Sequence, residues 1–468
     1  MLKTVLFLNA LLLFLLMGNL NATTYYVDNA GNDGNSGNST SSPWKTIGKV
    51  NGFTFAAGDI VSFKGGQTFT DASLIPPRDG SSGLPMVFNS YGTGKATLDA
   101  QGNYVTVKVD YRNYLTFYNL RFIHGRQIGM GGNSDGVNIG GWNVNNLLID
   151  HCNIDYSYQA AGQKTANAYF GADANSSTNI VIRYSTINYA GGSHGIYLDG
   201  VSNCTLEYDT ISYNWNNAIR IAYGNNYQGT NNLTVRYCVM KGNGTATDGT
   251  QWDATIHDDG SVNAQYYYNV FETRTNSTNQ GIIKFIDEKP NGSVPPKGIK
   301  FYNNTCIIHT TGSENYSFEF GTSSGDGYPD ITGMTNMDFR NNIIYADVST
   351  GRYFYLHSAL PTGWNINNNC YYGGGGWNIN GTDYTTITNW RTRGFDASGF
   401  ISNPLFTTNF TNLGLQSASS CINTGTSVGL TTDMVGNTIS GNPDLGAFES
   451  GSGSGGGGGG GEQYHLQL

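Results

Sequence analysis

Apolar and polar positions alternate along the chain over short stretches, and one eight-residue pattern keeps returning. Its first, third and eighth places are apolar or small, and its sixth is a small polar residue or a cysteine. Copies run Leu147–Ile154, Ile180–Ile187, Cys204–Ile211, Leu233–Met240, Ala264–Phe271, Ile299–Cys306, Met337–Ile344 and Trp364–Tyr371, with Leu115–Phe122 as an earlier one. The starts advance by about 31 residues on average, a solenoid step. Apolar first and third places make a period of two, so each octet predicts a strand, and β-branched and aromatic residues fill it. Asn269, Asn304, Asn342 and Asn369 hold the sixth place of successive copies, where tight-turn geometry and hydrogen bonding up a stack both suit asparagine. Before most octets lies a second alternating segment: Val137–Ile139, Ile196–Leu198, Ile219–Ile221, Ala254–Ile256, Ile283–Phe285, Phe318–Phe320 and Phe354–Leu356. Coils of several short strands stack into parallel sheets with strands about 4.8 Å apart. No 3.6-residue period runs through these segments, which excludes helical repeats. The pattern predicts an all-β fold, a single-stranded parallel β-helix.

The two ends follow other rules. Lys3, the apolar run Val5–Met17 and the small-residue exit through Ala22 have the form of a secretory signal. About 13 apolar residues fall short of the roughly 20 that span a bilayer, so stable membrane insertion is not expected. The expected organisation is a signal over 1–22, a β-helix domain over 23–450, and a Gly-rich flexible tail over 451–468, in a secreted protein read as a monomer. Cys152, Cys204, Cys238 and Cys306 fall at inward places of the repeat, as stacked buried thiols. Cys370 with Cys421 is the pair considered for a disulfide.

Composition narrows the partners. With 24 cations against 33 anions the net charge is −9, too acidic a field for nucleic acid. Only 12% of residues are charged, against about 25% in an average domain, so any cluster of charge stands out.

The opening Tyr25-Tyr26-Val27-Asp28 with Ser42-Pro43-Trp44-Lys45-Thr46-Ile47, the segment Asp59-Ile60-Val61-Ser62-Phe63-Lys64-Gly65-Gly66 and the closing Asn442-Pro443-Asp444-Leu445-Gly446-Ala447-Phe448-Glu449 carry a resemblance. With the repeat, they make the chain resemble a secreted right-handed parallel β-helix of the pectate-lyase-like superfamily, over most of residues 24 to 449. Ser42 as N-cap and Pro43 at the first helical position predict a short capping helix whose Trp44 and Ile47 cover the open end. The superfamily spans lyases, hydrolases, epimerases and inert surface proteins, so the fold settles no activity.

If the Val137/Ile139-type residues point inward, the residues between them form an outer column: Asn138, Tyr169, Tyr197, Arg220, Thr255, Lys284, Glu319 and Tyr355. Arg220 and Lys284 then lie two coils apart, about 10 Å. The next outward place adds Asp199, His257 and His357, and Asp258, Asp259, Asp287, Glu288 and Lys289 lie just beyond. Elimination on a uronate polymer needs a base for the C5 proton and a cation to neutralise the carboxylate. Lys284 suits the base, Arg220 the carboxylate partner, and His257 a second base. His194, Tyr197, Trp252 and Glu319 are candidate substrate contacts. Asp258-Asp259-Gly260 followed by Gly281-Ile282-Ile283-Lys284 is similar to the acidic metal motif and catalytic lysine strand of family 9 pectate lyases, which implies Asp258, Asp259 and Asp287 as Ca²⁺ ligands. Ser261 and Val262 stand where that family places a further acid. A solvated charged rim accounts for the same cluster without chemistry.

Two other classes stay open. Asn133-Ser134-Asp135-Gly136, His194-Gly195 and Arg220-Ile221 look like the polygalacturonase order of motifs, although the coil between them lacks paired aspartates. A hydrolase would need a carboxylate pair, such as Asp199 with Asp258 or Glu319. A non-catalytic binding or adhesion module would instead show Arg220 and Lys284 turned away or already paired. The expected partner in each case is a polysaccharide.

Overall fold

The computed structural model describes residues 22–126, 137–158, 166–171, 177–192, 194–222, 229–244, 254–275, 281–287, 294–309, 316–322, 330–347, 351–408 and 412–450. The strands form three long parallel sheets, to each of which successive coils add a strand. The first sheet runs from Thr24–Val27 to Asn365–Asn367, the second from Thr68–Phe69 to Phe400–Ile401, and the third from Val107–Lys108 to Trp377–Ile379. The alternating residues Leu147, Ile149, Ile180, Ile182, Phe301 and Phe339 pack inside with Ile196, Ile219, Ile283 and Phe318 of the third sheet in one continuous core. This is the parallel β-helix that the repeat predicts.

Each octet turns a corner. Leu147 to Asp150 lie in the strand Asn145–Asp150 of the first sheet, and Asn153 and Ile154 in the strand Asn153–Asp155 of the second. The left-handed residue that makes the corner is the fifth place, not the sixth: His151, Tyr184, Tyr208, Tyr237, Tyr268, Asn303, Asn341 and Asn368 have φ between 51° and 60°. Turning there sends the sixth side chain inward, where it needs partners. The asparagines supply them as a ladder: Asn269 donates to Asn304 at 3.0 Å, Asn304 to Asn342 at 3.2 Å, and Asn342 to Asn369 at 3.0 Å.

Cys152, Cys204, Cys238 and Cys306 are buried free thiols, as their places imply. The disulfide considered for Cys370 and Cys421 is not formed. Both are free and buried, interacting as thiols, and Cys370 Sγ also donates to the Ser402 carbonyl at 3.3 Å.

The capping helix is present but starts later than Ser42 and Pro43 suggested. It spans Ile47–Asn51, with the Thr46 hydroxyl accepting from the Lys49 N–H. Trp44 is extended and bridges to Val27, because its indole is needed flat on Tyr25, 4.9 Å away. Trp44, Ile47, Val50 and Phe55 close that end. A second helix, Ile387–Arg391, closes the other: Trp390 stacks on Trp377 at 5.3 Å and donates to the buried Asp396 at 3.0 Å.

After Phe400–Ile401 the chain adds no further coil among the described residues. Residues 402–408 and 412–450 run back as a strap over the second sheet, where Phe406, Leu413, Cys421, Met434 and Leu445 bury Val239, Val270, Ile307, Ile343 and Cys370. Asn303 and Asn341 at the corners hold it by donating to the carbonyls of Asp444 (2.9 Å) and Thr426 (2.8 Å). No helix among the described residues is long and apolar enough to cross a membrane.

Candidate functional site

From Asn145–Asp150 onward the corner between the first two sheets takes two residues per coil. Strands of the third sheet stand further from their neighbours in the chain: eight residues separate Val270–Glu272 from Gly281–Phe285, and fourteen separate Gly281–Phe285 from Lys300–Tyr302.

Register places one residue per strand up the outer face of the third sheet: Gly140, Tyr169, Tyr197, Arg220, His257, Lys284, Glu319, Tyr355 and Asn378. Six of the expected members are confirmed. Asn138 is not among them: fully buried, it donates to Asn167 at 2.9 Å, beginning a second asparagine ladder that continues to Asn214 and Asn243. Thr255 is also out of the column and fully buried. In its strand Ile256 and Asp258 pair with the inward Ile219 and Ile221, which puts His257 in the column between Arg220 and Lys284. His257 thus belongs with the two cations and not to the place beyond them.

The charges are tied together. Arg220 is ion-paired with Asp259, and His257 Nε2 lies 3.0 Å from the other Asp259 oxygen. Asp259 is 1% exposed, so it holds both side chains from a buried position. Lys284 Nζ is 3.3 Å from Glu319 Oε2, and His357 Nε2 is 2.8 Å from Glu319 Oε1. The lysine and carboxylate keep about a tenth of their side-chain surface in solvent. Towards the start of the sheet the column is aromatic: Trp142 and Tyr169 are 5.4 Å apart, Tyr169 and Tyr197 5.3 Å. The Tyr169 hydroxyl donates to Asp199 at 3.2 Å. Burial, and then the Asp199 charge, push the Tyr197 hydroxyl well above the usual phenol range, so it stays protonated.

Other predicted residues fall elsewhere. Asp258 points inward, level with Ile221 and Phe285. It accepts from the N–H groups of Gly260 (3.1 Å) and Ser261 (2.8 Å) and from the Ser261 hydroxyl. Burial pushes its carboxyl up to about 6 against those hydrogen bonds. Ser261, which interrupts the acidic motif in sequence, is the partner that lets an aspartate sit inside. Asp259 is engaged by Arg220 and His257, and Asp287 is 3% exposed. Among the described residues no three His, Cys, Asp or Glu side chains gather as a metal site. His194 shares the inward parity of Ala166, is 6% exposed, and its ring lies 5.4 Å from that of Tyr197. Trp252, Glu288, Lys289 and the Asn133–Gly136 motif lie outside the described residues.

The hydrolase pairs do not survive the register. Asp258 is inside, and Asp199 and Glu319 stand four strands apart, about 19 Å by strand spacing, roughly twice the longest separation that inverting chemistry uses.

Three stacked parallel sheets with these caps define a parallel β-helix. Pectate lyase Pel9A has a similar fold: TM-score 0.55, 13% identity, covering 92% of this chain and 97% of that one. So does the GH136 lacto-N-biosidase from Eubacterium ramulus, with TM-score 0.51, 14% identity, and 81% and 68% covered. No family model and no curated protein matches the chain in sequence.

Proposed function

We propose that the protein is an exported, monomeric carbohydrate-active β-helix that binds an acidic, uronate-containing polysaccharide along the outer face of the third sheet and cleaves it by β-elimination. The observation that supports this reading most is the run Tyr197, Arg220, His257, Lys284 and Glu319 in register on one wall. Arg220, held by Asp259, is the guanidinium of this wall, and its pairing with a uronate carboxylate would make the C5 proton more acidic. Lys284 in its neutral form takes that proton: the C5–H bond and the C4–O bond break, the C4=C5 double bond forms, and the departing oxygen takes a proton from water. Positive charge at Arg220 and at His257 when protonated favours the neutral amine, while Glu319 opposes it. His257 is 1% exposed and so acts by position, fixing Asp259 under Arg220. No step is assigned to calcium.

Pairing of Arg220 and Lys284 with acids favours a second reading, a polysaccharide-binding module without chemistry. Incubation with polygalacturonate and with alginate separates them. Ultraviolet absorbance of an unsaturated product, abolished by Lys284→Ala and by Arg220→Ala in folded variants, supports elimination. Reducing ends without that absorbance, or no product from either polymer, overturns it.

A further inference from the structure

The outer face of the second sheet is divided in two. Where the strap lies it is mostly apolar, with Val239, Val270, Thr305, Ile343 and Cys370 in one register column. Earlier in the same column stand Arg121, Asn153, Thr186 and Thr210, and beside them Asp155, Asn188 and Ser212. The side chains turn from apolar to polar where the strap ends, so the earlier half is built to face something other than protein core.

Two tyrosine rows flank this polar lane. Tyr184, Tyr208 and Tyr237 line one edge, with ring centroids 4.9 and 4.8 Å apart. Tyr156, Tyr189 and Tyr213 line the other, 5.0 and 5.5 Å apart, and are 44%, 43% and 41% exposed. Every one has positive φ, a conformation that disfavours tyrosine. Their faces stack on one another, so ring edges step along the rows by about the length of one pyranose; Tyr156, Tyr189, Tyr208 and Tyr213 are exposed, and the Tyr237 hydroxyl meets Thr432 of the strap. Gly242 ends the second row, since a Cβ there would meet Tyr213 Cε1 at 2.6 Å.

Charge at the head of the lane is positive, against the sign of the whole chain. Asp99 is bonded to His124, Asp150 to Arg183, and Asp155 to Arg121. Lys95 and Arg126 form no ion pair among the described residues. Lys95 contacts Asn153, and Arg126 packs 5.5 Å from the Tyr158 ring with its Nε buried and unbonded.

We propose that this lane is a second saccharide-binding surface, separate from the third-sheet wall, which takes an extended anionic polysaccharide along the helix axis. Lys95 and Arg126 meet its carboxylates, and the tyrosine hydroxyls with Asn153, Thr186 and Asn188 meet its hydroxyls. It does not depend on the elimination chemistry. An apolar partner helix would need an apolar floor, and none is present between the rows.

The test is affinity electrophoresis of the full chain through gels holding polygalacturonate, alginate or a neutral glucan. Two variants are compared with wild type: Tyr156→Asn/Tyr189→Asn/Tyr213→Asn, since asparagine tolerates the backbone these tyrosines occupy, and Lys95→Gln/Arg126→Gln. Retardation by a uronate polymer, reduced severalfold in both variants, supports the lane. No retardation by either uronate polymer overturns it, as does equal retardation by the glucan or retardation kept in full by both lane variants. If the tyrosine variant fails to fold by circular dichroism, the charge variant decides alone. Failure of the elimination assay leaves these outcomes untouched.

Discussion

Replacing Asp209 with asparagine should stabilise the protein, by an amount that grows with pH. Asp209 holds the sixth place of its octet, the ladder place. In later coils the amide nitrogens of Asn269, Asn304, Asn342 and Asn369 donate to the carbonyls of Val235, Tyr266, Phe301 and Phe339, at 2.9, 2.9, 2.9 and 3.0 Å. Each carbonyl is the third place of the preceding octet, which for Asp209 is that of Ile182. Asp209 makes the other half of the pattern, accepting from the Ser185 N–H at 2.9 Å through Oδ1, but Oδ2 is buried without a hydrogen-bond partner. A carboxylate oxygen cannot donate to a carbonyl, whereas a protonated one can. Burial, followed by the nearby charges of Glu207 and Asp150, accordingly holds the Asp209 carboxyl well above the usual range. Because the folded state binds this proton more tightly than the unfolded chain, its contribution is full below the ordinary carboxylate value and is lost as pH rises through the folded one. Asp209→Asn supplies the missing donor at every pH. An unsatisfied buried polar group costs about 1–3 kcal/mol, which sets the expected gain at neutral pH. Denaturant unfolding of both proteins from about pH 4 to about pH 8 measures it, and other titrating groups cancel in the difference. A variant no more stable than wild type at neutral pH, or a difference flat across the range, refutes the reasoning.

Other outcomes follow from the same coordinates. Burial works against a charge on His309, but hydrogen bonds to Glu272 (3.2 Å) and Asp347 (2.5 Å) outweigh it and raise its pKa, with Lys241 paired to Glu272 alongside. The stability advantage of wild type over His309→Gln should be full below about pH 6.5 and shrink above it in urea titrations, and a constant gap would count against this. Gly446, where the strap lands, has φ of +90° and a Cβ would meet Thr305 Oγ1 at 2.7 Å, so Gly446→Ala should destabilise by at least about 1 kcal/mol and expose the strap to limited proteolysis. Alkylation under denaturing, non-reducing conditions should label all six cysteines by mass spectrometry.

How much was legible depended on whether a residue obeys the coil. Ile219, Ile221, Ile283 and Phe285 announce their inward places through a period of two, and Arg220 and Lys284 between them were placed correctly. Register slipped by two residues at 254–258, where Ala254, Ile256 and Asp258 share parity and the Ser261 partner explains an aspartate inside. Asn138 failed for the converse reason, since its strand residue lies at a corner whose ladder forms across coils. The tyrosine corners contradict backbone preference, yet Tyr at the fifth place of four consecutive octets, from Tyr184 to Tyr268, was a visible signal. The strap has no repeat at all, and its contacts depend on residues far away in the chain.

Most backbone pairing here joins neighbouring coils, yet Tyr237 reaches Thr432 and Tyr268 reaches Glu449, across 195 and 181 positions. During synthesis the middle rungs can therefore assemble while Val270, Ile307 and Ile343 still face water, waiting for the last stretch to emerge. Nascent chains halted before residue 402 would display a greasy flank, and a helper that shields it, or rapid completion of translation, becomes part of making this molecule.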